Sequence, residues 1–211
     1  MYIWVVDIDG TCADTRPRIE AISEKSGVPE HKWTQEQVDE FTKPELIKLD
    51  AVIPGAENLV QLARRCGAKL VFLTGRSEVA RRATRIWLEN KLDIFETVPL
   101  VMRPNGDFRP TAECKEDVFL RAVDQVYRDA NFIFFEDDEE LLRRYSKYGL
   151  ALKAPECWSV IRFLERLPLS KEEQERRKPL PPEELVGALH DRVHKDVGKA
   201  RAAKVTKVKN D

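Results

Sequence analysis

The order of apolar and polar positions along the chain predicts an α/β fold. Short runs rich in Val, Ile, Leu and aromatic residues alternate with segments in which apolar residues recur every three or four positions. Runs of that length and composition are typical of strands buried on both faces of a parallel sheet. The predicted strands are residues 1–6, 69–73, 97–102, 131–135 and 150–153.

The segments between these runs predict helices on both faces of a central, mostly parallel sheet. One helix is predicted from Glu78 to about Asn90, and another starts near Thr111. The residues expected to face the core are Val79, Ala83, Ile86 and Trp87 on the first helix, and Val118, Phe119, Ala122 and Val126 on the second.

The stretch 12–52 contains no convincing strand, and we expect it to form a small helical cap inserted over the sheet edge. Residues 16–27 predict one helix, and residues 36–49 predict a second that Pro44 interrupts. Forty residues are too many for a simple turn, and too few for a domain.

The character of the chain changes beyond Pro168, where charged residues dominate. The predicted organisation is a domain at 1–167 followed by a charged extension at 168–211, partly helical or disordered. Residues 192–211 contain seven Lys or Arg and two Asp, a net charge of +5, which leaves −6 for the rest of a chain whose total is −1. A basic tail on an acidic body is consistent with nucleic-acid contact. A solubilising tail, or one used for self-association, is an equally open interpretation.

Composition narrows the class of protein. The 211 residues are 42% apolar and 35% charged, enough for one core but with no overall charge that would identify a partner. No apolar run approaches the roughly 18 residues of a membrane span, and no basic leader precedes the first strand. The four cysteines are scattered without metal-ligand spacing, which favours reduced thiols in a cytoplasmic protein.

Paired acids follow two of the predicted strands. Asp7 and Asp9 close the first strand, and Asp137 and Asp138 follow the fourth. The carboxyl ends of parallel strands meet at one edge of a sheet, where open α/β folds bind ligands. Carboxylates gathered there repel one another unless a hard cation such as Mg²⁺ neutralises them.

Phosphate-binding groups are expected at the same edge. Thr74, Gly75 and Arg76 end the second strand, directly before a helix whose N-terminus attracts anions. Lys115 stands in the first turn of a helix, where a cation is unfavourable unless it serves a site. The arginines able to reach a phosphate are Arg16 and Arg18, although a surface position is the alternative explanation for each. Those able to contact a polyanion such as a nucleic-acid backbone are Arg81, Arg82 and Arg85, and a solvated helix face is the alternative there.

The string Asp7-Ile-Asp9-Gly-Thr resembles the first motif of the haloacid dehalogenase (HAD) superfamily of phosphotransferases, and the four strand ends together extend that resemblance over residues 1–165. Longer strings are similar to the phosphatase half of the bacteriophage polynucleotide kinase–phosphatase family. They are Arg82–Trp87, Val98–Met102, Gly106–Arg109, Lys115–Phe119 and Glu156–Trp158.

This resemblance implies a Rossmann-like HAD fold and a Mg²⁺-dependent phosphatase that removes 3′-phosphates from DNA or RNA ends. Asp7 would be the nucleophile, Asp9 the general acid and base, and Thr74 and Lys115 would hold the transferring oxygens. Mg²⁺ would be held by Asp7, the Asp9 carbonyl and Asp137 or Asp138. The implied substrate-binding residues are Arg18, Gly75, Arg76, Arg82, Arg85 and Arg109.

Two departures from that family's pattern matter. The 211 residues contain no nucleotide-binding P-loop, so we expect no kinase activity. Thr111 stands where the phage family has an aspartate. Two alternatives also stay open: a phosphatase of nucleotides or other small phosphomonoesters, and a catalytically silent module that binds nucleic-acid ends.

Overall fold

The computed structural model describes residues 1–159, apart from the side chains of residues 60 and 64. The strands in this part are β1 (Tyr2–Val6), β2 (Ala13–Asp14), β3 (Ala51–Val52), β4 (Lys69–Ser77), β5 (Leu100–Arg103), β6 (Asn131–Glu136) and β7 (Gly149–Lys153). The α-helices are α1 (Arg16–Ser26), α2 (Gln35–Phe41), α3 (Leu59–Arg65), α4 (Arg81–Leu92), α5 (Thr111–Phe119) and α6 (Glu139–Tyr145).

Five strands form one parallel sheet in the order β5-β4-β1-β6-β7. The central strand β1 pairs with β4 on one side and β6 on the other, and Val6 lies beside both Phe72 and Phe135. This register brings the carboxyl ends of three strands together. The predicted α/β fold, with a parallel sheet at its centre, is confirmed.

Alternate residues of the strands feed two cores, one on each face of the sheet. On one face Trp4, Val6 and Phe72 pack with α3 and α4. On the other face Val5 and Phe134 pack with α5 and α6. Both faces are therefore covered by helices, which explains why the strands are almost continuously apolar.

The predicted inner face of α4 is wrong by about one residue. Val79 and Ile86 are exposed, whereas Thr84, Trp87 and Leu88 are buried. A 3-10 turn over Glu78–Ala80 precedes the α-helix and changes its phase. The sequence suggests a surface position for Thr84, but the residue is buried, and its hydroxyl accepts a long hydrogen bond of 3.4 Å from the Arg76 guanidinium.

The helix that begins at Thr111 also departs from its predicted face. A π-helical turn at Leu120–Asp124 follows α5 and inserts one extra residue into the turn. As a result Val123 is buried, while Ala122 and Val126 face solvent. The predicted strand at 97–102 is also shorter than expected, because regular pairing begins only after Pro99, at Leu100.

The helical insertion lies between β2 and β3, which pair antiparallel as a two-stranded ribbon at its base. It contains α1, α2 and a 3-10 helix over Pro44–Leu49, so Pro44 ends regular α-helix as the sequence indicates. The predicted helix over 158–167, apart from its first residues, and the extension at 168–211 lie outside the described residues. None of the helices in the described part has the length and apolar character needed to cross a membrane.

Gly10 offers a test of the close packing at the end of β1. It adopts φ +79°, and a Cβ at this position would overlap the Asp137 carboxylate. Gly27 has a similar φ of +70° but open space around it. The left-handed backbone alone costs a non-glycine residue about 1–2 kcal/mol.

We therefore expect Gly10→Ala to lower the melting temperature clearly more than Gly27→Ala, because only Gly10→Ala adds a steric clash to the backbone strain. Thermal unfolding followed by circular dichroism measures both. Equal losses for the two variants would contradict the close approach of Gly10 and Asp137.

Candidate active site

Three carboxylates meet where β1 and β6 end. Asp7 directly follows β1, Glu136 is the last residue of β6, and Asp137 follows it. One carboxylate oxygen from each lies within 4.8 Å of the others. Thr11 donates a long hydrogen bond of 3.4 Å to Asp137. Three acidic oxygens at this spacing form a donor set that suits a hard divalent cation.

Lys115 joins this cluster from α5. Its ammonium donates to Asp7 at 2.7 Å and to Glu136 at 2.5 Å, and all three groups are buried. Burial alone would lower the pKa of Lys115, but Asp7 and Glu136 hold that pKa above its ordinary value. Lys115 is therefore a permanent cation that compensates one of the three acids.

Burial raises the pKa of Asp7 to about 6 and that of Glu136 to about 8. Charge balance gives the physical reason, since three carboxylates, two of them buried, and one ammonium leave two uncompensated negative charges. A proton on Glu136 relieves part of this excess and leaves Asp7 the more readily ionised of the two. A divalent cation would remove the excess entirely, so the residues present fit Mg²⁺.

Asp9 belongs to a second charged group. Arg76 holds its carboxylate with two nitrogens, the shorter contact being 2.5 Å, and Arg18 adds a contact of 3.1 Å. Burial acts to raise the pKa of Asp9, but the guanidinium of Arg76, helped by that of Arg18, outweighs it and lowers the pKa. The side chain of Asp9 is still 32% exposed, so it remains open to a ligand.

Asp50 holds the two arginines from behind. Its carboxylate, which is fully buried, accepts from Arg18 at 2.8 and 2.9 Å and from Arg76 at 2.7 Å. Its backbone carbonyl accepts from the Trp87 indole at 2.9 Å. Arg18 also donates to the Phe41 carbonyl at 2.9 Å and lies 4.1 Å from the centre of the Phe41 ring. The network therefore connects the sheet edge to the helical insertion.

An open cavity of about 700 Å³ gives access to both groups. Its floor contains Asp7, Asp9 and Lys115, and its walls come from α2 and from the loop after β5. Among the described residues that line it, seven are acidic and four are basic. A phosphate could not enter this cavity favourably unless a cation reduced the negative charge.

The predicted site residues separate into two sets. The structure brings Asp7, Asp9, Lys115, Asp137, Arg18, Gly75 and Arg76 to the cavity. Thr74 is buried and does not line the cavity; its hydroxyl accepts from the Arg76 backbone N–H at 3.2 Å, which leaves its own O–H free to donate.

Three predicted substrate-binding arginines do not line the cavity. Arg85 donates to the Val98 carbonyl at 2.9 Å, Arg82 is exposed on α4, and Arg109 pairs with Asp107 and Asp117. The helical phase of α4 directs Arg85 toward the segment before β5. Arg81, which shares that face of α4, forms an ion pair with the Glu78 carboxylate.

Of the predicted acids Asp137 and Asp138, the acidic cluster contains Asp137. Asp138 lines the cavity, but it caps α6, since its carboxylate accepts from the Leu141 N–H at 2.9 Å. The third acid of the cluster is Glu136, which the sequence pattern did not single out. A signal existed, because Glu136 follows four apolar residues and continues the strand beside Asp7. Asp50 was also missed, and an isolated acid between apolar neighbours is its only local signal.

The sequence profile of a family described as the polynucleotide kinase PNKP phosphatase domain (HAD_PNKP) matches residues 2–160. No significant match exists among curated proteins.

Solved structures show a similar fold at low sequence identity. A chain of the Pnkp1/Rnl/Hen1 complex has a TM-score of 0.51 and 17% identity over 72% of this chain, which spans only 45% of that relative. A haloacid dehalogenase-like hydrolase of Streptococcus pneumoniae gives 0.53 and 15%, with 72% of this chain and 83% of the relative covered. CbbY of Rhodobacter sphaeroides, solved with phosphate, gives 0.50 and 16%, with 72% and 85% covered. Identities this low establish the fold alone.

The different environments of Asp137 and Asp138 predict different effects of one substitution. Asp137→Asn removes a charged oxygen from the acidic cluster, whereas Asp138→Asn keeps a good helix cap. We expect Mg²⁺ to raise the melting temperature of the wild type and of Asp138→Asn, but not that of Asp137→Asn. Thermal unfolding with Mg²⁺ and with EDTA measures this. A lost Mg²⁺ response in Asp138→Asn alone would reverse the assignment.

The raised pKa values of Asp7 and Glu136 predict how Mg²⁺ binding depends on pH. Protons compete with the cation for these carboxylates, so Mg²⁺ should bind more tightly at about pH 8.5 than at about pH 5.5. Without Mg²⁺, the stability from protonated Glu136 is present at low pH and is lost as pH rises toward about 8. Glu136→Gln should reduce both effects. Calorimetric titration at the two pH values tests this, and a pH-independent affinity would contradict it.

Proposed function

The chain belongs to the family of the polynucleotide kinase PNKP phosphatase domain, and we propose that it is a Mg²⁺-dependent phosphomonoesterase that removes 3′-phosphates from polynucleotide ends. The observation that carries the proposal is the position of Asp7. Its carboxylate lies on the floor of an open cavity, next to Lys115 and within the acidic cluster, where a phosphate ester can approach from one side.

The family match supports polynucleotide ends as the substrate, as does the resemblance of the strings after β5 and around Lys115 to the phage enzymes. The shape of the cavity is also compatible with a polymer. Its helical wall is a short insertion, and its mouth stays open to solvent, so the chain leading away from a terminal phosphate has room to leave.

Asp7 acts first in the proposed reaction. One of its oxygens attacks phosphorus, a new phosphorus–oxygen bond forms, and the bond from phosphorus to the 3′-oxygen breaks. Lys115 holds Asp7 in place and donates to the negative charge that develops on the phosphoryl oxygens. Mg²⁺ bound by Asp7 and Asp137 would neutralise charge between the carboxylate and the phosphate.

Asp9 carries the proton in both halves of the reaction. Arg18 and Arg76 keep it ionised in the free protein, and these guanidiniums become partners of the phosphate when substrate enters. Losing them raises the proton affinity of Asp9, so it takes up a proton from solvent and passes that proton to the departing 3′-oxygen. Asp9 then takes a proton from water, which attacks the aspartyl-phosphate and releases inorganic phosphate and free Asp7.

The test compares the release of phosphate from several ends. We expect Mg²⁺-dependent release from a 3′-phosphorylated oligonucleotide, with kcat/KM at least about tenfold above that for a 3′-mononucleotide because the polymer adds contacts. A 5′-phosphorylated oligonucleotide should be a poor substrate. Equal values for mononucleotide and oligonucleotide would instead favour a phosphatase of small phosphomonoesters, and no turnover of any ester would favour a binding module.

Asp7→Asn tests the nucleophile. Because the asparagine amide cannot form the aspartyl-phosphate, we expect kcat of Asp7→Asn to fall by more than about 10³-fold. Asp93→Asn is the matched control, since Asp93 lies outside the cavity in a left-handed conformation that Asn tolerates. Phosphate release from the oligonucleotide measures both variants. Activity of Asp7→Asn near that of the control would rule out Asp7 as the nucleophile.

A further inference from the structure

Phe108 stands on the wall of the cavity with its side chain in solvent. The residue is 95% exposed, yet it lines the same cavity as Asp7 and Arg76. A phenyl ring in water gives up the favourable free energy of burial, about 1.5–3 kcal/mol for such a side chain. The ring contributes nothing to either core, so its position requires another explanation.

The loop that carries Phe108 is held firmly in place. Arg103 donates to the carbonyls on both sides of the ring, to Asp107 at 3.1 Å and to Arg109 at 2.8 Å. It also donates to the Gly75 carbonyl at 3.1 Å and to the Thr111 hydroxyl at 2.9 Å. The side chains of Asp107 and Arg109, the two sequence neighbours of Phe108, form an ion pair at 2.6 Å.

These contacts fix the backbone on both sides of Phe108 relative to the carboxyl end of β4. Gly75 lies on that strand, so one guanidinium connects the strand end to both sides of Phe108. Val38 and Gln35 of α2 line the same cavity, and Val38 is itself 42% exposed. A flat apolar group that enters the cavity with a phosphate therefore has an exposed aromatic ring available to contact.

We propose that Phe108 stacks on a nucleobase at the 3′ end of the substrate and that this contact makes the site select nucleotides over other phosphate esters. This inference rests on the proposed function and names the group that the cavity wall recognises. Every base has an aromatic face, so the contact is independent of sequence. The Gln35 and Asp39 side chains, which also line the cavity, are paired with each other at 2.8 Å.

The test uses Phe108→Ala, the conservative Phe108→Trp, and Phe95→Ala as the control. Phe95 is 58% exposed but lies outside the cavity. The substrates are a 3′-phosphorylated oligonucleotide, a 3′-mononucleotide, the same oligonucleotide with an abasic sugar at the last or penultimate position, and glycerol phosphate. The abasic positions identify which base stacks, and the mononucleotide separates a free nucleotide from a polymer end.

Phe108→Ala should lower kcat/KM for the oligonucleotide by about 5- to 100-fold, the range typical of one lost base stack. Phe108→Trp and Phe95→Ala should retain wild-type values, and all variants should hydrolyse glycerol phosphate equally. Wild type on one of the two abasic substrates should fall to the level of Phe108→Ala. If 2-aminopurine replaces the base at that position, its fluorescence should be quenched when the oligonucleotide binds the Asp7→Asn variant. It should not be quenched when the oligonucleotide binds the double variant Asp7→Asn, Phe108→Ala.

Three results would overturn the inference, and they differ from one another. If Phe108→Ala has the same kcat/KM on the oligonucleotide as the wild type, Phe108 does not stack on a base, and the proposed function is unaffected. An equal loss on glycerol phosphate would show that Phe108 supports the loop rather than a base. Wild-type turnover of glycerol phosphate without any turnover of 3′-phosphorylated ends would overturn the proposed function, and the inference with it.

Discussion

The constraint on which the rest of the structure depends is the burial of like charges at the end of the central strand. The register of the parallel sheet places Asp7 beside Glu136 and Asp137, and the helices on both faces keep bulk water away from Asp7 and Glu136. Carboxylates so close together are unfavourable unless positive charge compensates them. Lys115 provides one charge, and the deficit that remains equals the charge of one divalent cation. The same feature that makes the free site costly would therefore favour the binding of a metal ion there.

A second, mostly buried charge network lies beside the acidic cluster and is neutral overall. It consists of Asp9, Asp50, Arg18 and Arg76. Two arginines and two acids balance one another, and Asp50 keeps the arginines in place while Asp9 remains partly open. A buried ion pair contributes little net stability but strongly specifies geometry, because removing one partner leaves an uncompensated charge. Arg18 and Asp50 come from opposite ends of the helical insertion, so the position of this insertion and the charge state of the site are coupled.

Much of this could be predicted from the sequence, and what could not has physical causes. The strands were found because they are buried on both faces and lack polar interruptions, and Asp7 and Asp9 follow from the abrupt end of β1. The five consecutive acids at 136–140, the first of which is the last residue of β6, were harder. The extended backbone of Asp138 makes this residue the cap of α6 and so decides which of the acids belong to the strand end. Amino-acid composition does not reveal that backbone conformation. The helical phase of α4, changed by its initial 3-10 turn, decided that Arg85 faces away from the cavity. Asp50 meets its arginines only through tertiary contacts across 26 and 32 residues of chain.

A crystal grown with Mn²⁺ would reveal whether the acidic cluster binds a divalent cation, because anomalous scattering locates the ion. We expect an ion bound by carboxylate oxygens of Asp7 and Asp137, at the roughly 2.0–2.4 Å typical of hard divalent cations. Asp138 should remain on the N-terminus of α6, and Lys115 should remain beside Asp7. An ion held by Asp138 instead, or none in the acidic cluster at saturating Mn²⁺, would contradict this expectation.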